Sequence, residues 1–446
     1  MKKYFLFLIF FFLFFSIETK AQKGFQFFNT KKDKQRINFK LINNLIVIPL
    51  KINGKELSFI LDSGVGKTIL FNISQNDSIG LNNLEKVALQ GLGKGNSIQA
   101  LLSKNNEITI KNIRETNESI YVILKDYFDL SGKMGITIHG IIGYNLLRNF
   151  VVKINYSKKI INFYNRKTFK YKRCRKCETF PLQFYRKKPF INVKVQLDTI
   201  GNELTDVKLL VDSGGSDAIW LFEDSKEVIK TPKQHFKDIL GEGLSGAVFG
   251  NRSRIPKIKL KSFELENPTV SFLDTVSTRY ARSLKDRNGS IGANILKRFI
   301  VWFDYPKRKL TLKKNGSFKD GFNYNMSGLD IVYNGKQLVK EEEVQDFTDA
   351  YNQNIESINS VSFITNFSYK FKSSYRIKSV LKDSPAAISG LLKNDVILKI
   401  NGKNAYEFSL GEIVQKFKEK DKKKIRMVID RDGKKMKFQF RLEKKV

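Results

Sequence analysis

One stretch of this chain occurs twice. Phe59-Ile60-Leu61-Asp62-Ser63-Gly64 returns as Leu209-Leu210-Val211-Asp212-Ser213-Gly214, an interval of 150 residues. Two more landmarks keep nearly the same interval. Gly91-Leu92-Gly93 returns as Gly241-Glu242-Gly243, and Ile141-Ile142-Gly143 returns as Ser290-Ile291-Gly292. Leu146-Leu147-Arg148-Asn149-Phe150 and Ile295-Leu296-Lys297-Arg298-Phe299 then lead into matching β-rich runs. Three landmarks in one register imply a duplicated unit, so whatever the first copy folds into, the second must fold into as well.

Each copy reads as mainly β. Leu45–Ile52 is rich in Ile, Val and Leu, Asn53-Gly54 is a strong hairpin signal, and Phe59–Leu61 runs straight into Asp62. Phe190–Leu197 and Val207–Val211 play the same parts around a longer turn. Alternation of this kind suits a sheet folded on itself into a small barrel. Asn145–Arg148 and Asn294–Arg298 suit one short helix each. Beyond about residue 318 the pattern changes. Ser384-Pro385-Ala386 is a helix start with Ser as N-cap and Pro at the first helical position, and Gly390 suits its end. Val396–Ile400 reads as a strand and Asn401-Gly402 as a tight turn. Leu410–Lys418 reads as an amphipathic helix, and Ile425–Ile429 pairs with Lys437–Leu442 across Asp432-Gly433. The segment Lys336–Ser374, with its acidic run Glu341-Glu342-Glu343, fits no element pattern.

A single Asp-Ser-Gly is ordinary turn chemistry, since Asp and Ser bond local backbone and Gly takes unusual dihedrals. Two of them, each ending an apolar strand in duplicated lobes, bring Asp62 and Asp212 together on a pseudo-twofold axis. Like charges ~3 Å apart do not both ionise, so such a pair shares a proton; the aspartic-protease dyad is the standard example. One carboxylate then acts as base on a water while the other, protonated, polarises a peptide carbonyl. Ser63 and Ser213 can bond across to the opposite loop, and Gly64 and Gly214 let backbone approach the carboxylates. The apolar-Gly segments before Tyr144 and Ala293 would pack beneath the loops. Gly91, Gly93 and Gly95 in one copy, and Gly241, Gly243 and Gly246 in the other, would form hairpin flaps that close over substrate.

Composition narrows the setting. Lys2-Lys3, the apolar run Tyr4–Phe15 and the small-residue region to Ala21 read as a signal peptide over residues 1–21. The run is shorter than the ~20 residues that span a bilayer, so no stable membrane span is expected after cleavage. Export to the periplasm or the extracellular surface follows, and Gln22–Gln35 is a candidate pro-segment. The formal charge of +36 is spread over every segment and accompanies no nucleic-acid motif, so no nucleic-acid partner is expected. The two cysteines, Cys174 and Cys177, suit a local disulfide or two idle thiols better than a redox or zinc site. No metal or cofactor is implied.

With these residues in hand, residues 40–312 resemble the retropepsin-like aspartic proteases, in the bacterial form with both lobes fused in one chain. The resemblance rests on Asp62-Ser63-Gly64, Asp212-Ser213-Gly214, Ile141-Ile142-Gly143 and Ser290-Ile291-Gly292. Residues from about 319 onward resemble a PDZ domain, in which Ser327, Gly328, Leu329 and Asp330 match the peptide-binding loop. The resemblance implies a mainly β protein: two tandem acid-protease β-barrel lobes (22–165 and 166–318) and a C-terminal PDZ-like α+β domain (319–446) with an insertion around 336–374. It implies an aspartic endopeptidase acting on protein or peptide substrates. Peptide termini or extended segments would bind the PDZ domain, and no oligomer would be required. Ser290 replaces an apolar residue of the family pattern, so looser packing is expected below the second loop. Val65 and Gly215 offer no hydroxyl to the dyad, which points to a less acidic optimum than pepsin-type enzymes show. Two other readings compete. One is a catalytically silent protein that binds peptides in the same cleft and groove. The other is a serine hydrolase using Ser63 or Ser213 with His139 or His235, although no G-x-S-x-G elbow is present.

Overall fold

Asn53 and Gly54 both have positive φ and form the primed turn that twists correctly between antiparallel strands. The turn joins β1 (Leu45–Ile52) to β2 (Lys55–Leu61), with Ile52 opposite Lys55. The computed structural model describes residues 24–446 except 30, 74–78, 90–96, 125–128, 199, 244–245 and 344–365. The expected leader 1–21 and the flap glycines Gly91, Gly93 and Gly95 lie outside the described residues.

The first lobe continues through β3 (Glu85–Leu89), β4 (Ile98–Ile110), α1 (Leu130–Met134), β5 (Gly140–Ile142), α2 (Tyr144–Leu147) and β6 (Phe150–Asn155). The second repeats the plan as β7 (Lys188–Gln196), β8 (Thr205–Asp212), β9 (Phe236–Gly243), β10 (Gly246–Arg254), β11 (Arg287–Gly292), α3 (Ala293–Leu296) and β12 (Phe299–Asp304). In each lobe the strand entering the Asp-Ser-Gly loop lies parallel to the strand carrying the apolar-Gly motif: β2 with β5, and β8 with β11. That pairing threads Gly143 and Gly292 under the two loops.

A third sheet joins the lobes. β6 and β12 pair antiparallel at its centre, with Lys153 opposite Trp302, its own counterpart in the repeat. The pseudo-twofold axis therefore passes between those two residues, and the Lys153 ammonium lies 4.9 Å from the Trp302 ring centre. One apolar core runs through both lobes. Phe25 and Phe27 belong to it, so the described part of the candidate pro-segment Gln22–Gln35 is built into the lobe rather than laid over it. Cys174 and Cys177 form a disulfide.

The C-terminal unit has its own core. It comprises β13 (Leu329–Glu343), β14 (Asn366–Val380), α4 (Pro385–Ile388), β15 (Val396–Ile400), α5 (Leu410–Lys416), β16 (Lys424–Arg431) and β17 (Lys434–Arg441). The Ser384 hydroxyl caps α4 by accepting from the Ala387 N–H, and Gly390 takes φ 92° just beyond it. The described part of the unassigned segment 336–374 is a hairpin extension. β13 and β14 stay paired from Lys336–Ser373 out to Glu343–Asn366, and Glu341 bridges Lys370 and Lys372. Where the second lobe gives way to this unit, the buried Arg298 guanidinium donates to the carbonyls of Ser317, Phe318, Asp320 and Gly321.

Candidate active site

The two Asp-Ser-Gly loops meet through their serines. Ser63 Oγ accepts from the Ser213 N–H at 3.0 Å and donates to the Val211 carbonyl at 2.7 Å. Ser213 Oγ accepts from the Ser63 N–H at 2.9 Å and donates to the Leu61 carbonyl at 2.9 Å. Both hydroxyls are buried and fully engaged. This leaves neither serine free as a nucleophile. His139 Nδ1 accepts from the Ser58 N–H, while His235 is an exposed ring held by the Pro232 carbonyl. The serine-hydrolase reading has no geometric support.

Each aspartate is held by its own loop and lies over the glycine of the other. Asp62 Oδ1 accepts from the Gly64 N–H at 2.6 Å, and Asp212 Oδ1 from the Gly214 N–H at 3.0 Å. A methyl group on Gly214 would fall 2.2 Å from the Asp62 carboxyl carbon, and one on Gly64 would fall 3.0 Å from Asp212 Oδ1. Glycine is required at Gly214, where the opposite carboxyl fills the space of a side chain, and a methyl at Gly64 would press tightly on Asp212. Each carboxyl thus sits over the loop that carries the other, which places the two side by side. Burial first, and then repulsion from Asp212, pushes the Asp62 carboxyl up to about 8.

Support from below follows the apolar-Gly motifs. The Asp62 N–H donates to the Ile142 carbonyl, Tyr144 N–H to the Val65 carbonyl, and Ala293 N–H to the Gly215 carbonyl. A methyl on Gly143 would fall 2.0 Å from the Asp62 carbonyl oxygen. Tyr305 reaches the Ser63 carbonyl from beneath at 3.5 Å. The expectation of looser packing at Ser290 is corrected here. Ser290 is buried, and its Oγ accepts from Arg287 Nη2 at 2.9 Å. The buried Arg287 guanidinium fills the place of the missing apolar side chain, 4.9 Å from the Phe222 ring centre and 5.7 Å from that of Phe190. Arg287 and its neighbour Lys188 escaped the sequence reading. Strand register would have found Lys188, because counting on from the Phe190–Leu210 pair brings it opposite Asp212.

The residues expected to form the second flap make the β9–β10 hairpin, closed by Gly243 opposite Gly246, with an irregularity between Ile239 and Gly241. Its base is tied to the second loop. Arg252 of β10 binds Asp238 of β9 at 2.7 Å and Asp217, just past the Asp212 loop, at 3.2 Å. In the C-terminal unit, Ser327 Oγ accepts from the Leu329 N–H, Gly328 has φ 81°, and Leu329 and Asp330 open β13. A methyl on Gly328 would fall 2.2 Å from the Ser384 Cβ, so this loop is pinned against the start of α4. β13 is an edge strand of its sheet. The first lobe packs on that edge: α1 lies against β13, its following Gly135 meets Leu410 of α5, and Asp129, at its start, pairs with Lys378 of β14 at 3.1 Å.

Comparison with known proteins agrees with these two halves. Residues 48–146 match the family model described as aspartyl protease, and residues 376–431 match the one described as PDZ domain. The chain carries an aspartyl protease domain and a PDZ domain. The protease match contains Asp62 but ends inside the first lobe, so Asp212 is brought in by the duplication alone. No curated protein matches the chain. Among solved structures it is similar to the aspartic proteinase from Irpex lacteus, with 14% identity and a TM-score of 0.43 over 65% of this chain and 99% of that one.

Proposed function

We propose that the chain is an aspartic endopeptidase that hydrolyses peptide bonds with a water molecule activated between Asp62 and Asp212. The observation that carries this reading is the pair of buried carboxyls set side by side, each over the glycine of the opposite loop. Two carboxyls so close share one proton. The ionised one takes a proton from water, and the protonated one donates to the carbonyl oxygen of the scissile bond. The resulting tetrahedral diol collapses when a proton passes to the leaving amine, so no covalent intermediate forms. The shared proton is held up to about 8 on Asp62, which supports activity at mildly acidic to neutral pH rather than near pH 2.

The PDZ domain would add a peptide strand to the edge of β13, where backbone bonds supply affinity. In this structure α1 of the first lobe packs against that edge and the start of α5, so a peptide bound there would compete with α1 and lie next to the protease domain. The leader-like N-terminus supports action outside the cytoplasm. The test is cleavage of a mixed peptide library from pH 3 to 8 by the wild type, Asp62→Asn and Asp212→Asn. Wild-type cleavage with a loss of ~10³-fold or more in either variant is expected. A folded wild type that binds peptides but cleaves none would replace this reading with the silent peptide-binding one.

A further inference from the structure

Asp62 and Asp212 sit at equivalent points of the two lobes, but the residues facing them do not match. In the second lobe the β7–β8 ladder pairs Phe190 with Leu210, and two residues farther along that register Lys188 stands opposite Asp212. In the first, the β1–β2 ladder pairs Val47 with Ile60, and the same step sets Leu45 opposite Asp62. Directly opposed residues of an antiparallel pair share one face, with Cβ atoms about 4.5–5.5 Å apart. Extended by that step, the register sets an ammonium beside the pair from the second lobe and a buried hydrocarbon from the first.

The position of Lys188 is built rather than incidental. It closes a two-residue turn opposite Tyr185, with Arg186 and Lys187 both at positive φ. The same turn is wedged against the active loop of the first lobe, where a methyl on Gly66 would lie 3.3 Å from both the Arg186 carbonyl and the Lys187 Cβ. The charged and titratable groups around Lys188 and the dyad are Arg186 on its own hairpin, Arg287 from β11, and Tyr144 and Tyr305 from below. Burial and Arg287 lower the affinity of Lys188 for its proton, while Asp212 and Asp62 oppose that fall. Both cations lie on the Asp212 side: Arg287 is felt by Asp212, and Lys188 by both carboxyls.

We propose that Lys188 is the positioning residue whose ammonium, set beside the Asp62–Asp212 pair by the turn that carries it, favours the ionised states of the pair. The inference rests on the peptidase reading for its consequence, since it ties the pH dependence of catalysis to this cation. A cation beside the pair favours every anionic state of it, so it lowers the pH at which each proton is lost. Removing the charge should move both limbs of the pH–rate profile upward.

The experiment compares wild type, Lys188→Met and Lys188→Arg. In Lys188→Met both limbs should rise by about one pH unit, whereas Lys188→Arg should keep the wild-type limbs. A lower rate with limbs unmoved would mean a packing role and would overturn the proposal. The same variants, labelled with ¹³C at the aspartate carboxyls, are titrated by NMR without any substrate. There the dyad resonances should titrate higher in Lys188→Met, and unshifted titrations would sink the inference whether or not the chain cleaves peptides. Absence of cleavage by the wild type would count against the peptidase reading alone, because the NMR arm still decides the role of Lys188.

Discussion

The floor under Asp62 and the floor under Asp212 occupy the same layer of a duplicated fold, yet they are made of different material. In the first lobe the layer is hydrocarbon: Leu45, Ile60 and Ile138 are buried together, with Ile141 packed against them. In the second, the positions corresponding to Ile138 and Ile141 are Arg287 and Ser290, and Lys188 stands where Leu45 does. The backbone and the serine exchange kept their symmetry, because both loops depend on the same four hydrogen bonds. Polarity did not need to stay symmetric. A fold that needs two unlike carboxyls from two like loops can obtain the difference from the layer below them.

The comparison is broken most severely at Arg287. Arg287→Met removes a buried cation and leaves the Ser290 hydroxyl and the Gly289 carbonyl without their donor. A loss of about 2–4 kcal/mol is expected in chemical denaturation. Arg287→Ile combined with Ser290→Ile gives the second lobe the floor of the first. It should recover most of that loss, because replacing a buried polar set with packed hydrocarbon is often neutral or better. A single variant as stable as wild type would mean that the guanidinium only occupies space.

A second test is a pH effect centred on Asp62. Asp62 holds its proton up to about 8, against an ordinary carboxyl value of 3.8. Across that window the folded protein binds more protons than the unfolded chain, so stability falls as pH rises. Below the ordinary value both states are protonated and the effect vanishes. Asp62→Asn cannot ionise and should escape the decline. Melting curves from pH 4 to 8 should therefore converge at the acid end and separate toward pH 8, with the variant higher. Parallel curves would mean that Asp62 titrates like an ordinary carboxyl.

How far this difference was legible in the sequence depends on what each residue is packed against. The Asn53-Gly54 turn, the Ser384 cap and the two Asp-Ser-Gly loops could be read because local chemistry alone demands them. Their symmetry was legible through the repeat. The floor of the second lobe was not: Arg287-Asn288-Gly289-Ser290 is polar and has the composition of a loop, but it is a buried strand whose polar groups bond one another and the neighbouring strand. The hairpin extension of β13 and β14 was missed for the opposite reason. Leu338, Tyr369 and Phe371 are exposed there, so no buried face imposes an alternating pattern.

The smallest test concerns a pair of tyrosines related by the same axis. Tyr156 and Tyr305 occupy equivalent positions after β6 and β12, and both are buried in the shared core. Tyr305 donates to the Ser63 carbonyl, at 3.5 Å, and so touches the active loop. The Tyr156 hydroxyl is buried with no hydrogen-bond partner among the described residues. A buried hydroxyl without a partner carries its desolvation cost and returns nothing. Tyr156→Phe should therefore leave stability unchanged or raise it by up to about 1 kcal/mol, while Tyr305→Phe should lower it by about 0.5–1 kcal/mol. Denaturation midpoints of the two variants check the sign, which matters more than the size. If Tyr156→Phe proved the more damaging, the asymmetry of the floor would not extend to the tyrosines, and the second loop would have a support from below that matches the one Tyr305 gives the first.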